Sequence, residues 1–588
     1  MKINWINIKG FRNFVDETIN FAEKTLIIGA NDVGKSNLLF ALRLLFDRGI
    51  SERDLELTDS DYNAYTKCSE IQITVEITDI KEDCLRSIFV DAIKDDKTYI
   101  RYTNNKNSSY SFFVGSSLEL MQEKQSRFYT KRLNMEYVDT NRDLFAFLKR
   151  EKTKLLETAK SQLSEAATEK DKVNIRKVQT GLDRINNQIN SLNYIKSSLE
   201  AVNTKLTKLS AHNEDQNVQF VAGNSDAQKL LDNLELSYST TDTPLCVGGD
   251  GRNNQIFLAT WIAKQEIQKS PDHVTFFAIE EPEAHLHPHQ QRKLSQYLIE
   301  SFDEQLFIST HSSQIASNFT PENIARIYSQ NKISKVAQGG CSNKLKLTFD
   351  DFGYRLNAIS SETFFADGVF LVEGPSEKIF YTALANVLDI DLDCLNITIL
   401  SVDGVGFKPY IKVCQALEIP FVMRTDDDIF TKTINKSTFS YFAGISRAIG
   451  IYKELIALGE DDIITMFWSN NGSANEWKGV GVAPKTAIAL NNQIREKLED
   501  YNIFLSINNL EEDLADSKLF TGLAAFYKTK NRDSLVKKMQ KRKAENMLEY
   551  LQKNIAKLKI LAEDNLALPL KQIKLLVEKA VHPDVTNE

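Results

Sequence analysis

Residues 25–46, TLIIGANDVGKSNLLFALRLLF, carry the reading that decides the fold. A short apolar strand ends at Gly29. GANDVGKS at Gly29–Ser36 then matches G-x-x-x-x-G-K-[ST] in full, and Ser36–Phe46 continues as an apolar-periodic helix. Strand, glycine-rich loop and helix in that order are the context this phosphate-binding motif needs. The loop from Gly29 through Asn31 to Gly34 brings backbone N–H groups close to phosphate oxygens. Lys35 reaches the β and γ oxygens, and the Ser36 hydroxyl can ligate Mg²⁺. The start of the helix adds positive partial charge. ATP is the expected ligand.

Two further strand ends complete such a site. VTFFAIEEPE at Val274–Glu283 is an apolar strand from which two carboxylates emerge. Glu280 is expected to hold Mg²⁺ through water, and Glu281 to polarise the attacking water. FISTHSS at Phe307–Ser313 ends a second strand in hydroxyls and His311, which reads as a γ-phosphate sensor. His285, His287 and His289 do not read as a zinc site, because no cysteines accompany them and Pro288 breaks the run.

A second acidic site follows. GVFLVEGPSEK at Gly368–Lys378 is an apolar strand ending in Glu373, then a turn and a helix that carries Glu377. PFVMRTDDDI at Pro420–Ile429 is another apolar strand, and Asp426 and Asp428 alternate onto one side of its extended end. Carboxylates at the C-terminal ends of neighbouring parallel strands make a hard oxygen site suited to Mg²⁺ or Mn²⁺.

The rest of the chain sets bounds. Its 588 residues allow several domains, and 42% hydrophobic with 26% charged residues is ordinary for a globular protein. Cysteines 68, 84, 246, 341, 394 and 414 form no CxxC pair, which fits reduced thiols in a cytoplasm. No apolar run approaches a membrane span, so no membrane contact is expected. The net charge of −8 gives no global attraction to nucleic acid, so binding must come from a local basic patch or from metal. Between Leu144 and Leu209 proline is absent, and Val178, Leu182, Ile185, Ile189, Leu192, Ile195, Leu199, Val202, Leu206 and Leu209 recur at three- and four-residue steps, with a stammer at Ile195. This stripe fits a long amphipathic helix packed on its own domain, or an inserted hairpin that self-associates. Residues 90–130 are polar and give no clear pattern.

The first half resembles the ABC-type ATPases of the SMC and RecF group. GFRNF at Gly10–Phe14 looks like their first strand turn, Asn37 like their asparagine after the loop hydroxyl, and EEPEAHLHP like their Walker B and D-loop, with His287 where Asp is usual. VGGDGRNNQ at Val247–Gln255 looks like their signature loop, with Gly248 in place of serine. The resemblance implies two heads per nucleotide pair, hence a homodimer or higher homo-oligomer. Residues from Gly368 to Asp513 resemble the Toprim domain. A Toprim domain after such an ATPase resembles the OLD nucleases, most closely their Class 2 branch, which has anti-phage members.

The resemblance implies an α/β fold. An ABC-type ATPase head (1–143 and 216–335), interrupted by a helical dimerisation insertion (144–215), is joined by a connection (336–367) to a Toprim domain (368–515) and a helical C-terminal region (516–588). It implies that Glu373, Asp426 and Asp428 are catalytic, and that NNLEEDL at Asn508–Leu514 supplies Glu511 or Asp513 as a further ligand. A lysine of KKMQKRK, Lys541 or Lys543, would stabilise developing charge. The activity implied is a nucleotide-regulated, metal-dependent DNA endonuclease, with a helicase-like partner protein. The alternatives are an ATP-gated ribonuclease of the same fold, and a RecF-like DNA-binding ATPase without nuclease activity.

Overall fold

The computed structural model describes residues 1–581 apart from 107, 141, 143–146, 148–155, 158, 162, 210–225, 233–237, 241–242, 246–248, 342–360, 405, 435, 458 and 460–461. Val247 and Gly248 of the expected signature loop lie outside the described residues, as do most of the expected connection and residues 210–215 of the insertion.

The chain forms two compact units, Met1–Val138 with Asp272–Glu283 and Pro288–Glu588, and Asp139–Pro271 with Ala284–His287. In the first unit, the strand Lys24–Ile28 runs into the glycine-rich loop and the helix Lys35–Phe46. That strand is central to a sheet ordered, among the described residues, Ile333–Val336, Ile324–Gln330, Lys24–Ile28, Leu306–Ser309, Val274–Glu280, Leu133–Val138. Pairing is parallel throughout except between the first two strands. The loop therefore sits beside the end of Leu306–Ser309, and the Walker B strand is next in line.

An antiparallel sheet packs against the same helix, with Phe14–Asn20, Lys2–Phe11, Glu70–Thr78, Thr98–Asn105, Ser108–Gly115 and Met121–Lys124 in order. Leu38, Leu42, Leu45 and Phe46 of the helix are buried in a core shared with Ile6, Ile8, Ile73 and Val75. The segment 90–130, which gave no pattern as sequence, holds three of these strands. Thr98, Ile100, Tyr102 and Asn104 are buried while the residues between them are not, a period of two that marks a half-buried strand.

Toprim topology follows in the same unit. Four parallel strands are ordered Ile397–Ser401, Gly368–Val372, Phe421–Thr425, Ile503–Leu505. Helix Pro375–Val387 packs Phe380, Tyr381 and Leu384 against this sheet and against Met547, Tyr550 and Leu551 of the C-terminal helices.

In the second unit the stripe forms helices Glu165–Ser191 and Asn193–Leu209. The break falls at Leu192, whose ψ of 131° is extended, three residues before the expected stammer. Leu199 is buried, but Val178, Ile185, Leu192 and Val202 are exposed. No helix among the described residues is long and apolar enough to cross a membrane.

Candidate active sites: a nucleotide loop and an acidic strand-end cluster

The nucleotide loop is shaped by backbone that only glycine tolerates. Gly29 has φ +152°, and a Cβ there would lie 2.1 Å from the Ile327 carbonyl oxygen. Lys35 curls back over the loop, and its Nζ donates to the carbonyls of Gly29 (3.0 Å) and Ala30 (2.7 Å). Burial lowers its pKa to about 8 against the pull of Glu281, Asp32, Glu280 and Glu283. A phosphate group would replace the two carbonyls as partner and raise that pKa again. Ser36 is exposed at the start of the helix, and Asn31 is exposed at the loop tip. Asn37 faces elsewhere: it donates to Asn13 (2.6 Å) and accepts from Arg12 (2.7 Å), tying the helix to the GFRNF turn.

Glu280 is buried at the end of its strand. Glu281 follows with φ +40°, a left-handed conformation costing a non-glycine residue about 1–3 kcal/mol and typical of functional positions. Its N–H donates to Ser309 O at 2.9 Å, which fixes the turn. The His311 Nε2 stands 3.6 Å from Glu281 Oε1. Burial and then the Lys35 charge hold the imidazole pKa below its usual value, against the pull of Glu281. Sequence reading passed over Glu283. It accepts from Thr310 Oγ1 (2.6 Å) and from the His311 N–H (2.8 Å), and so orients the sensor loop.

The second site lies at three neighbouring strand ends, where Glu373, Asp426 and Ser506 each directly follow a strand. The Ser506 hydroxyl donates to Asp426 Oδ1 at 3.3 Å. Glu373 accepts from the Asp426 N–H at 3.0 Å, from Thr425 Oγ1 and from Arg447 of helix Ala443–Leu455. Asp428 is exposed beside these groups, while Asp427 is fully buried and bound to the Ile445 N–H and Asn491.

Arg424 takes up two of the expected ligands directly and stands farther from a third. It is 2% exposed, pairs with Glu377 at 2.5 Å and Asp513 at 2.6 Å, and lies 3.7 Å from Asp426 Oδ1. Glu377 also accepts from the N–H groups of Glu373 (2.7 Å) and Gly374 (3.1 Å), capping its helix from the third position. Glu377 and Asp513 are thus held by a guanidinium and by backbone. A charged residue inside the apolar run PFVMRT was the available signal for Arg424.

Glu511 differs from this pair. It is 1% exposed, and neither carboxylate oxygen accepts a hydrogen bond. Its cation is Lys543, with Nζ at 3.3 Å. Burial pulls the Lys543 pKa down, but Glu511 and Asp426 with Asp428 outweigh it, so the net shift is upward. Lys541 caps the preceding helix, is exposed, and makes no ion pair to the cluster among the described residues. The geometry brings Lys543 to the acids rather than Lys541.

These residues fit a divalent ion. No group of three or more acidic, histidine or cysteine side chains is placed to hold a metal ion among the described residues, so the fit rests on fewer carboxylates. Mg²⁺ is commonly held by one or two carboxylates, with waters and substrate phosphate completing its shell. Glu511, buried beside the Lys543 ammonium, and Asp426 are donors of that kind. Asp426 is raised to about 8, by burial first and by Glu377 second. Below about pH 8 a cation must therefore displace a proton from Asp426. Mn²⁺ affinity measured by calorimetry should tighten by up to about tenfold per pH unit from pH 6 and level off near pH 8. A pH-independent affinity would remove Asp426 from the ligand set.

The chain is similar to known proteins over both halves. The sequence profile of the AAA ATPase domain family matches residues 1–179 and 134–316. That of the overcoming lysogenization defect protein-like TOPRIM domain matches residues 364–428, which contain Glu373, Asp426 and Asp428. The chain belongs to the AAA ATPase domain family, in the OLD-like form that joins such an ATPase to a Toprim domain. Among particular relatives, it is 26% identical to endonuclease GajA of Bacillus cereus over 488 residues, covering 79% of this chain and 80% of that one. It is 29% identical to the OLD nuclease of Thermus scotoductus over 226 residues, 35% of this chain and 41% of that one. It is 23% identical to the Old nuclease of Escherichia phage P2 over 436 residues, 68% and 72% of the two chains.

Proposed function

We propose that the chain is a nucleotide-regulated, metal-dependent DNA endonuclease of the cytoplasm, acting in anti-phage defence as a Gabija-like nuclease. The observation that carries this is the pairing of Glu511 with Lys543 beside Asp426 and Glu373, at the strand ends of a domain attached to a complete nucleotide loop. Glu373, Asp426, Asp428 and Glu511 would hold Mg²⁺ or Mn²⁺, which would supply an activated water and neutralise phosphate charge. Lys543 stands where it can stabilise the charge that develops on the cleaved phosphodiester. Arg424 keeps Glu377 and Asp513 fixed around this set. In the head, Lys35, Ser36 and the loop from Gly29 to Gly34 bind ATP with its own Mg²⁺, with Glu280, Glu281 and His311 around the γ-phosphate.

The test is cleavage of supercoiled plasmid, with structured RNA beside it, at constant free Mg²⁺ or Mn²⁺ and rising ATP or non-hydrolysable analogue. Wild type should cut the plasmid, nucleotide should restrain it, and Lys35→Ala should cut without responding to nucleotide. An intact plasmid at every metal concentration overturns the reading.

The exposed half of the helical stripe supports self-association of the chain. Val178, Ile185, Leu192 and Val202 leave an apolar seam on the second unit that a second copy would bury. Leu192→Glu with Val202→Glu would put unpaired charge into that seam and should lower the mass seen by light scattering. An unchanged mass would assign the stripe to packing within one chain.

A further inference from the structure

The residues between Asp428 and the Arg447 helix form a small antiparallel sheet with two unlike faces. Its strands are Ile429–Ile434, Ser437–Phe442 and Glu476–Lys478. The register pairs Phe430 with Tyr441 and Lys432 with Phe439, and it pairs Phe439 with Lys478 and Tyr441 with Glu476. Side chains paired across strands share a face. One face therefore presents Phe430, Phe439, Tyr441, Lys432 and Lys478, with Glu476 bound to Lys432. The opposite face carries Phe442 and Ser440, both buried, and Trp477, whose ring lies 5.4 Å from Phe442. The aromatic face is the open one. Phe430 is 53% exposed, both lysines are exposed, and Phe439 and Tyr441 are half-buried.

One end of this sheet is fastened to the acidic cluster by both of its hairpin strands, since Ile429 pairs with Phe442. Its first strand starts one residue after Asp428, and the Ala443 N–H donates to the Asp428 carbonyl at 3.0 Å. Four residues further on, Arg447 donates to Glu373. Lys432 lies 5.4 Å over the Tyr441 ring, so cation and aromatic are set together. Exposed aromatics ordinarily cost solubility, and the chain as a whole is acidic at −8. Aromatic rings interleaved with lysines, placed beside carboxylates that would act on a phosphodiester, are complementary to a nucleic-acid strand with unpaired bases. Each base offers a ring face, and each phosphate a charge.

We propose that this face is a single-strand platform, which stacks the unpaired bases of a DNA strand on Phe430 and Tyr441 while Lys432 and Lys478 follow its phosphates. The proposal rests on the nuclease reading for its substrate class. It adds that the enzyme engages a melted or single-stranded segment next to the metal site.

Fluorescence anisotropy tests it with the full-length protein in EDTA, using a fluorescein-labelled single-stranded DNA oligonucleotide and the same strand in a duplex. Phe430→Ala should weaken single-strand binding by about tenfold or more, a typical loss for one stacked base. Phe430→Trp should retain it, and Lys478→Ala should flatten its salt dependence by about one charge. Duplex binding should change much less in each case. Equal single-strand affinity in Phe430→Ala and wild type overturns the platform, as does a Phe430→Ala protein whose light-scattering mass falls while its single-strand affinity holds. The nuclease reading fails separately. Wild type that binds the single strand with this dependence on Phe430, yet cuts no plasmid in metal, keeps the platform and removes the nuclease.

Discussion

Lys543→Ala should cut plasmid about 10²–10³-fold more slowly than wild type, the usual loss when one group facing developing charge is removed. Lys541→Ala should stay close to wild type. The two positions lie in one basic run, but only Lys543 reaches Glu511, at 3.3 Å. Glu373→Ala and Glu511→Ala should abolish cleavage altogether, because each removes a metal-facing carboxylate. Glu511→Gln separates charge from shape: it preserves the side chain's volume and removes the charge, so it should be equally inactive while keeping the thermal midpoint. Glu377→Gln is expected to behave differently. It breaks a buried pair with Arg424, so the thermal midpoint should fall together with activity. Single-turnover cleavage and thermal unfolding, measured on the same preparations, check all six. Full activity in Glu511→Gln, or a Lys541→Ala defect larger than that of Lys543→Ala, would contradict the assignment.

Legibility in the sequence followed how far local chemistry constrains the backbone. The loop Gly29–Ser36 was readable because its glycines and lysine are demanded by phosphate geometry, and Gly29 indeed has no room for a Cβ. Glu373, Asp426 and Asp428 were readable as positions, because apolar runs ending in acids mark strand ends. Their division of labour was not. Glu377 is four residues from Glu373 and shares its corner, but Arg424 and two backbone N–H groups claim it, a choice made by tertiary packing across 47 residues. Asp513 and Glu511 lie two residues apart, yet Asp513 turns to Arg424 while Glu511 turns to Lys543. Asn37, matched in sequence to the family's asparagine after the loop hydroxyl, bonds Asn13 and Arg12 here, a pairing no spacing announced. The strand Thr98–Asn105 was missed because polar Thr98 and Asn104 face inward while Tyr99 faces outward, which blurs the alternation in YIRYT.

Arg326→Met should uncouple nucleotide from cleavage and should also destabilise the fold by about 3–5 kcal/mol, the range for breaking a buried charged cluster. Of the connection expected at 336–367, residues 342–360 lie outside the described residues. The described link is Arg326, 4% exposed, on the strand that pairs with the loop strand. It is in register with Ile28, the residue before Gly29. Its guanidinium donates to the carbonyls of Leu417 (3.0 Å), Glu418 (3.3 Å) and Ala366 (3.1 Å), and to Asp367 Oδ1 (3.1 Å). Ala366 and Asp367 lead into the strand that ends at Glu373, and Leu417 and Glu418 into the strand that ends at Asp426. Tyr328 adds a hydrogen bond to Glu418 at 2.8 Å. A cavity of about 500 Å³ lies along the same line, bounded by Gly29, Ala30 and Asn31 on one side and by Phe365 and Asp367 on the other. A loop that tightens on phosphate can therefore move the strand bearing Arg326 against both catalytic strands. Coupling of this kind needs a contact whose energy differs between the bound and free states. Tyr328→Phe removes one peripheral hydrogen bond and should leave stability nearly intact while weakening the nucleotide effect. The measurement is the ratio of cleavage rates with and without a non-hydrolysable analogue at fixed free metal, beside nucleotide affinity. Arg326→Met that folds, binds nucleotide and still shows the wild-type ratio would place the coupling elsewhere.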